Sequence, residues 1–491
     1  MTESSDHASF LSTRRGKLTL AFVCAVGFLD FVDASIVNVA LPTIRHHLHF
    51  SVQSLQWVLS GYLLTYGGFM LLGGRAGDLI GRRRMLVSGT AVFALSSLAG
   101  GLSGSEGLLI AARLAQGTGA AMMVPAALSI LTTSFVEGSD RHTALGVWGA
   151  LAGLASALGV FLGGVLSQEA GWRWVFFVNL PVCVLILVAA FRLVPREQQR
   201  ARLANFDALG AFLATAGMLL LVYALVNAPD VGWGTTRTVA ELGGAALLLA
   251  GFAVNELRHR NPLFPLSIFR INGLGAADAV MVIAMAGFYS LFFFITLYMQ
   301  NVLHYSQIEA GAAYLPTTFG VAISAGVSSQ LLTRIGTRPI IALGALVAAG
   351  AVFWLSRIPV HGSYTTDLLP GLLIMSLGLG AVFVGVQTAA QAGVPQDKAG
   401  LAAALVNAST WLGGALGLAI FSAISTSRIH DLLAIHAAQP VALTAGFHRA
   451  LLAAALFLVA AAAIASRATN TRGQPATTAD FNDPAPIPDA A

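Results

Sequence analysis

Charge is what this chain has least of. Only 10% of its 491 residues are Asp, Glu, Lys or Arg, against 56% hydrophobic. A soluble globular domain carries about a quarter charged residues, so a water-facing fold is excluded and most of the surface must meet lipid. Lysine stands only at 17 and 398, while arginine and alanine abound, which points to a bacterium with a GC-rich genome. The two cysteines, Cys24 and Cys183, lie in apolar runs and form no spaced pair or metal pattern, so they leave the redox compartment unread. A nucleophile–base pair and a phosphate-cradling glycine loop are both missing, which argues against an enzyme and against an ATP-driven pump. A cleaved leader is not expected either. Arg14, Arg15 and Lys17 resemble its basic start, but the apolar run that follows is too long and carries carboxylates.

What the chain does have is long apolar runs. A bilayer core of roughly 30 Å needs about 20 residues per helix. Runs of that length give fourteen candidate spans, at 18–41, 53–73, 85–104, 108–134, 142–166, 173–194, 206–227, 238–257, 275–300, 308–332, 339–357, 367–392, 399–425 and 444–466. The fold class is therefore an all-α polytopic membrane protein. The tail from 467 to 491 is polar and rich in Pro and Ala, and reads as disordered. With the N-terminus inside, twenty basic residues fall on inner segments and six on outer ones (Arg45, Arg173, Arg237, Arg357, Arg428 and Arg449); Arg113 lies within a span. That asymmetry is the positive-inside rule, and it places both termini in the cytoplasm. The net charge of +5 thus reports topology rather than nucleic-acid binding.

An internal repeat organises these spans. LHFS at 48–51 returns as LHYS at 303–306, an offset that also carries Gly81 onto Gly336 and Arg83 onto Arg338. Gly117-Thr-Gly119-Ala120 returns as Gly378-Leu-Gly380-Ala381. The implied plan is a cytoplasmic tail 1–17, a six-helix bundle 18–200, two inserted helices in 201–262 and a second six-helix bundle 263–466.

Several motifs resemble the major facilitator superfamily, and within it the fourteen-span drug/proton antiporter branch. Gly74-Arg-Ala-Gly-Asp78-Leu-Ile-Gly81-Arg82-Arg83-Arg84 is similar to the family's signature between spans 2 and 3. Arg113-Leu-Ala-Gln116-Gly117 resembles its proton-linked motif on span 4. Asp33-Ala-Ser-Ile-Val-Asn38-Val-Ala-Leu41-Pro42, Trp172-Arg-Trp174-Val-Phe176-Phe-Val-Asn179-Leu-Pro181 and the run 297–316 resemble motifs of the branch. One departure stands on span 5. The branch's Gly-Pro pair is Gly159-Val160 here, followed by Gly163 and Gly164; the proline kink is lost while glycines for close helix packing remain.

The resemblance implies a carrier driven by the proton gradient, without a cofactor, that exports lipophilic, cationic drugs by alternating access. The physical reading of the residues runs beside it. Asp30 and Asp33, three apart on span 1, share one helical face. Each would cost about 2.5–3.5 kcal/mol against lipid, so that face should look into the bundle. At about 1.5 Å per residue, Asp33 and Arg113 lie at matching depth, roughly 8 Å below the outer surface. Asp33, Arg113 and Gln116 are the expected proton-coupling group, and Asp30 adds negative potential for the substrate. The alternative is an ion pair that only ties spans 1 and 4 together. Gly74, Asp78, Gly81, Arg82 and Arg83 are expected to form a conformational latch, with Arg82 facing Glu137 or Asp140. Asn38, Tyr289, Gln387 and Asn407 are candidates to line a cavity between the halves. Asp278 reads equally as an interfacial carboxylate at a helix start or as a gate, Phe288–Phe294 as packing or lipid-facing rings, and His46, His47 and His49 as loop histidines without a metal. Two other readings stay open: export of a metabolite or antibiotic made by the host, and a non-transporting membrane sensor or accessory protein.

Overall fold

The computed structural model describes residues 10–135, 139–195, 207–259 and 273–471 except 393 and 395, together with 262, 268, 269 and 271. These residues form helices and turns, and no strand occurs among them. Helix α1 (Arg14–Leu48) is followed by the short α2 (Val52–Leu55) and by α3 (Trp57–Ile80), α4 (Arg82–Gly101), α5 (Glu106–Ser134) and α6 (Ser139–Glu169). A four-residue α7 (Trp174–Phe177) leads into α8 (Asn179–Leu193), and α9 (Ala208–Val231) and α10 (Thr236–Arg258) follow. The rest comprises α11 (Leu274–Asn301), α12 (Gln307–Ala313), α13 (Leu315–Ile335), α14 (Thr337–Leu355), α15 (Leu369–Gln391), α16 (Gln396–Ala434) and α17 (Gln439–Ala465). Among the described residues, eleven helical stretches are long and apolar enough to cross a membrane. Helices α3, α4 and α6, which are 24, 20 and 31 residues long, stand where spans 2, 3 and 5 were expected.

One boundary differs from expectation for a physical reason. Helix α1 does not end before Pro42 but continues to Leu48. A proline deprives only one carbonyl of its helical partner, and the apolar residues on either side bury the turn anyway. His46 and His47 consequently form the last turn of α1 rather than a loop, and His49 closes it in the left-handed region at φ 59. Arg45 in the same turn suits the negative end of the helix. Among the described residues no group of three His, Cys, Asp or Glu is placed to hold a metal.

The repeat seen in the sequence has a structural counterpart. His49 and His304 both turn left-handed, at φ 59 and 58, and Ser51 and Ser306 then cap α2 and α12 through their side chains. Gly81 and Gly336 both take positive φ, 105 and 87, between α3 and α4 and between α13 and α14. Such angles strain any residue with a Cβ. The crossing of α4 with α5 is matched by that of α14 with α15. A Cβ on Gly89 would lie 2.9 Å from the carbonyl oxygen of Gly119, and one on Gly344 would lie 2.8 Å from that of Gly378.

Packing sorts the helices into two groups. α1 packs on α5, α6 and α8, and α5 on α3 and α4; α11 packs on α15, α16 and α17, and α14 on α15 and α17. Contacts between the groups run through α3 against α16, α6 against α12 and α13, and α1 against α11. The hairpin α9–α10 lies over the seam, because α9 touches both α3 and α16. This seam is held at one end. Asn38 Nδ2 donates to Thr296 Oγ1 at 3.1 Å, Gln300 Nε2 to the Val39 carbonyl at 2.9 Å and Gln307 Nε2 to Thr43 Oγ1 at 2.9 Å. All three lie in the half of the bundle away from Arg14. Gly164 and Gly311 belong to the same closure. The Gln307 carbonyl oxygen is 2.5 Å from where a Cβ on Gly164 would stand, and the Val160 carbonyl oxygen is 2.8 Å from the equivalent point on Gly311.

Candidate functional site

Helices α1, α3, α5 and α8 converge on a polar cluster with no access to solvent. Asp33 and Arg113 are both 0% exposed, and Arg113 Nη1 donates to Asp33 Oδ2 at 2.7 Å. The same nitrogen donates to Gln116 Oε1 at 2.7 Å, one turn along α5, because a three-residue step keeps both side chains on one face. Gln116 Nε2 closes the ring by donating to Asp33 Oδ1 at 2.7 Å. Asn179, the first residue of α8, donates to the same oxygen at 2.7 Å and to Ser97 Oγ at 3.0 Å. Arg113 Nε donates to the Val58 carbonyl at 2.8 Å, and its guanidinium lies over the Tyr62 ring, 4.3 Å from the centroid. A charge pair out of water survives only when its remaining lone pairs and protons are also satisfied. Here both carboxylate oxygens accept at least one strong hydrogen bond, while Arg113 Nη2 has no hydrogen-bond partner.

Asp30, one turn along α1 and 1% exposed, has a different environment. Tyr62 Oη donates to its Oδ1 and Tyr66 Oη to its Oδ2, each at 2.8 Å. The four-residue spacing aligns the two phenols on one face of α3. Beyond them comes the other group of helices. Trp411 of α16 stacks on Tyr66 with centroids 4.3 Å apart, stands 6.4 Å from Tyr62 and 6.2 Å from Tyr289 of α11. Close approach is possible because Gly67 on α3 faces the backbone of Leu412, 3.0 Å from where its Cβ would be, and Gly414 faces Tyr289 and Leu63.

The structure thus brings together Asp33, Arg113 and Gln116, with Asp30 a turn away. Asn38 stands instead at the seam. Tyr289 reaches the aromatic group around Trp411. Asn407 spends its amide on the Ala403 carbonyl of its own helix at 3.0 Å, and Gln387 lies half-buried on α15, so neither joins the cluster. On α6, Gly159 admits Ser35 and the Val32 carbonyl, and Gly163 admits the Ile36 carbonyl, so these glycines fit α1 closely. Of the expected latch, the side chain of Asp78 and all of Glu137 lie outside the described residues. Arg83 donates to the Phe191 carbonyl at 3.3 Å and stacks over its ring at 5.0 Å. Asp140 accepts from the Leu11 amide at 3.1 Å. Asp278 differs from the interfacial group expected. It is 5% exposed, faces Ser409 Oγ of α16 at 3.4 Å, and its Oδ2 has no partner. Ser409 lies within the expected span 399–425, and the packing of α16 on α11 takes the carboxylate out of water. Phe293 and Phe294 are buried packing residues rather than lipid-facing ones.

Asn179, Ser97, Tyr62, Tyr66 and Trp411 were not singled out from sequence. The signal was partly there. Asn179 sits in a branch-like motif, and Tyr62 and Tyr66 are hydroxyl-bearing rings at helical spacing inside an apolar run.

The model of the Major Facilitator Superfamily matches residues 23–418. The chain is 37% identical over 430 residues to the puromycin resistance protein of Streptomyces alboniger, covering 87% of this chain and 85% of that one. It is 36% identical to the cephamycin export protein of Amycolatopsis lactamdurans, covering 92% of each chain. The lincomycin resistance protein of Streptomyces lincolnensis is 34% identical, with 87% of each chain covered. Among solved structures, an inward-facing bacterial homologue of the lysosomal transporter Spinster aligns with a TM-score of 0.64 at 18% identity, over 92% of this chain and 97% of that one. A peptide transporter in complex with sulfate gives 0.65 at 15%, over 92% and 96%. At those identities the structures speak for the fold alone, whereas the family match and the relatives decide membership. This multi-pass membrane protein belongs to the Major Facilitator Superfamily.

Proposed function

We propose that the protein is a proton-coupled exporter of lipophilic cations, working by alternating access across a bacterial plasma membrane. It crosses the membrane fourteen times with both termini in the cytoplasm, and its two six-helix halves, 18–200 and 263–466, rock about the seam. The observation that carries this reading is the pair of unlike carboxylates one turn apart. Asp33 is matched by a buried cation, whereas the side-chain partners of Asp30 are two neutral phenols, at a seam shared with Trp411 of the other half. A buried carboxylate without a cationic partner is a ready site for a positive group, and the surrounding aromatic faces favour one.

The steps follow from the closure described above. With the Arg14 end in the cytoplasm, the seam is hydrogen-bonded on the outer side. A cation then reaches Asp30 from the inner side, and a proton leaves Asp33 to inner water as Arg113 takes the carboxylate. Opening outward breaks the bonds of Asn38, Gln300 and Gln307 and parts Gly164 from Gln307. A proton entering from outside neutralises Asp33, the cation departs, and one proton has been exchanged for one cation. Gly74, Asp78, Gly81, Arg82 and Arg83 serve as the inner latch that sets the balance between states. The gradient is the only energy source and no cofactor takes part.

A second reading, export of an antibiotic, is favoured by the names of the relatives, which refer to puromycin, cephamycin and lincomycin. Reconstituted protein in liposomes decides between them. An imposed proton gradient should drive accumulation of tetraphenylphosphonium, and collapsing it should stop the accumulation. Gradient-independent movement of every cation tried, alongside gradient-driven movement of an uncharged or anionic antibiotic, overturns the cation reading and leaves the second.

A further inference from the structure

The two carboxylates are bridged by one side chain. Tyr62 is fully buried, its hydroxyl donates to Asp30 Oδ1 at 2.8 Å, and its ring face lies 4.3 Å from the Arg113 guanidinium that holds Asp33. Tyr66 donates to the same Asp30 at the same distance, but its ring stacks on Trp411 instead. Two tyrosines thus make equal bonds to one carboxylate, and Tyr62 is the one whose ring also lies on the guanidinium.

We propose that Tyr62 is the positioning residue that links occupation of Asp30 to proton release from Asp33. This rests on the proton-coupled reading above and specifies how its two sites communicate. A phenol held at its hydroxyl is fixed at its far end, so the bond to Asp30 helps to keep the ring against Arg113. A cation arriving at Asp30 Oδ1 displaces the Tyr62 O–H, an ammonium by donating to the same oxygen and a quaternary phosphonium by its charge and bulk against the carboxylate. The ring loses its anchor and leaves the guanidinium. Arg113, deprived of the ring face but still bonded to Gln116 and the Val58 carbonyl, then depends more heavily on Asp33. The Asp33 O–H bond breaks, its proton passes to inner water, and the carboxylate pairs with Arg113 without the ring over the guanidinium; the 2.7 Å pair with the ring in place is the arrangement that the next proton meets after the cation has gone. In the reverse direction, departure of the cation lets Tyr62 rebind Asp30 and cover Arg113, which frees Asp33 to accept a proton.

The test compares Tyr62→Phe with Tyr66→Phe in the full-length purified protein. Each removes one hydroxyl from Asp30 and keeps the ring in place. Tetraphenylphosphonium is added in weakly buffered solution with a pH dye, and bound cation and released protons are counted together. Wild-type protein should release close to one proton per cation. Tyr66→Phe should stay within about 20% of that ratio. Tyr62→Phe should bind with an affinity within about threefold of Tyr66→Phe yet release less than half a proton per cation. Tyr62→Leu, which also removes the ring, should lose release at least as completely; if it does not fold, Tyr62→Phe decides alone. A wild-type ratio in Tyr62→Phe, or an equal loss in both Phe variants, overturns the link. Binding without any release by wild-type protein overturns the proton-coupled reading itself, and the link with it.

Discussion

The two halves of the molecule share a backbone plan and differ in chemistry. Both turn at a left-handed histidine before a serine cap, both reverse at a positive-φ glycine, and both cross two helices through facing glycines. Yet the N-terminal half buries Asp30, Asp33, Arg113, Gln116 and Asn179 together, whereas the offset that carries Gly81 onto Gly336 carries Asp30 onto Met285, Asp33 onto Phe288 and Tyr62 onto Thr317. The C-terminal half answers with rings, Trp411 and Tyr289, and, among its described residues, with one buried acid, Asp278. The difference teaches that the repeat fixes how helices meet and leaves free what lies between them. One half can hold the charges while the other supplies the apolar wall that keeps them dry.

The sharpest way to break this comparison is to discharge the N-terminal cluster. Asp33→Asn should abolish gradient-driven accumulation, a loss of at least about 100-fold, and should also destabilise the protein by about 3–5 kcal/mol, because Arg113 is left buried and uncompensated. The double change Asp33→Asn with Arg113→Gln should recover most of that stability and none of the transport, as read by thermal unfolding in detergent and uptake in liposomes. Recovery of transport by the double variant would assign the pair a structural role only.

Next in size is the facing carboxylate. Asp30→Asn should leave folding nearly intact, since an amide still accepts from one phenol, and should weaken binding of a monovalent cation about tenfold, or about 1.4 kcal/mol. A dication should lose more. Equal affinity for both ligands in the variant and the wild type would show that the cation binds elsewhere.

How much of this was legible in sequence follows from which residues did the telling. The all-helical membrane class and the correspondence of Gly81 with Gly336 were readable because lipid and helix geometry constrain them residue by residue. The Asp33–Arg113 contact was readable as a match of depth, since each side chain lies on a helix of known rise. Tyr62, Tyr66 and Trp411 were not, because their roles depend on which faces of α3 and α16 meet across more than three hundred residues of chain. Nor was the seat of α9 over the seam, which no local pattern specifies. Asp278 was misplaced because the helix that packs over the start of α11 cannot be read from α11 itself.

Sharpening the comparison, rather than breaking it, calls for the glycines. Gly119→Ala and Gly378→Ala should each cost about 1–3 kcal/mol of stability, alike in the two halves, because each drives a methyl into a helix crossing. Gly164→Ala should instead cost little stability and shift the conformational balance away from outer closure. Spin-label distances between outer ends of α6 and α12 would lengthen in it and stay unchanged in Gly119→Ala.

The smallest effect belongs to the Arg14 end. Arg83→Ala removes a partly exposed contact with Phe191 and should change stability by no more than about 1 kcal/mol. Asp78→Asn should lower turnover several-fold with substrate affinity unchanged; an equal fall in affinity removes the latch from the account.

The central claim is that the proton resides on Asp33 while the cation resides on Asp30. Counting protons released per tetraphenylphosphonium bound, in wild-type protein and in the stabilised Asp33→Asn, Arg113→Gln variant, tests it most directly. The account predicts close to one proton per cation in the wild type, and continued cation binding with no release in the variant. The same stoichiometric release from the variant would contradict it.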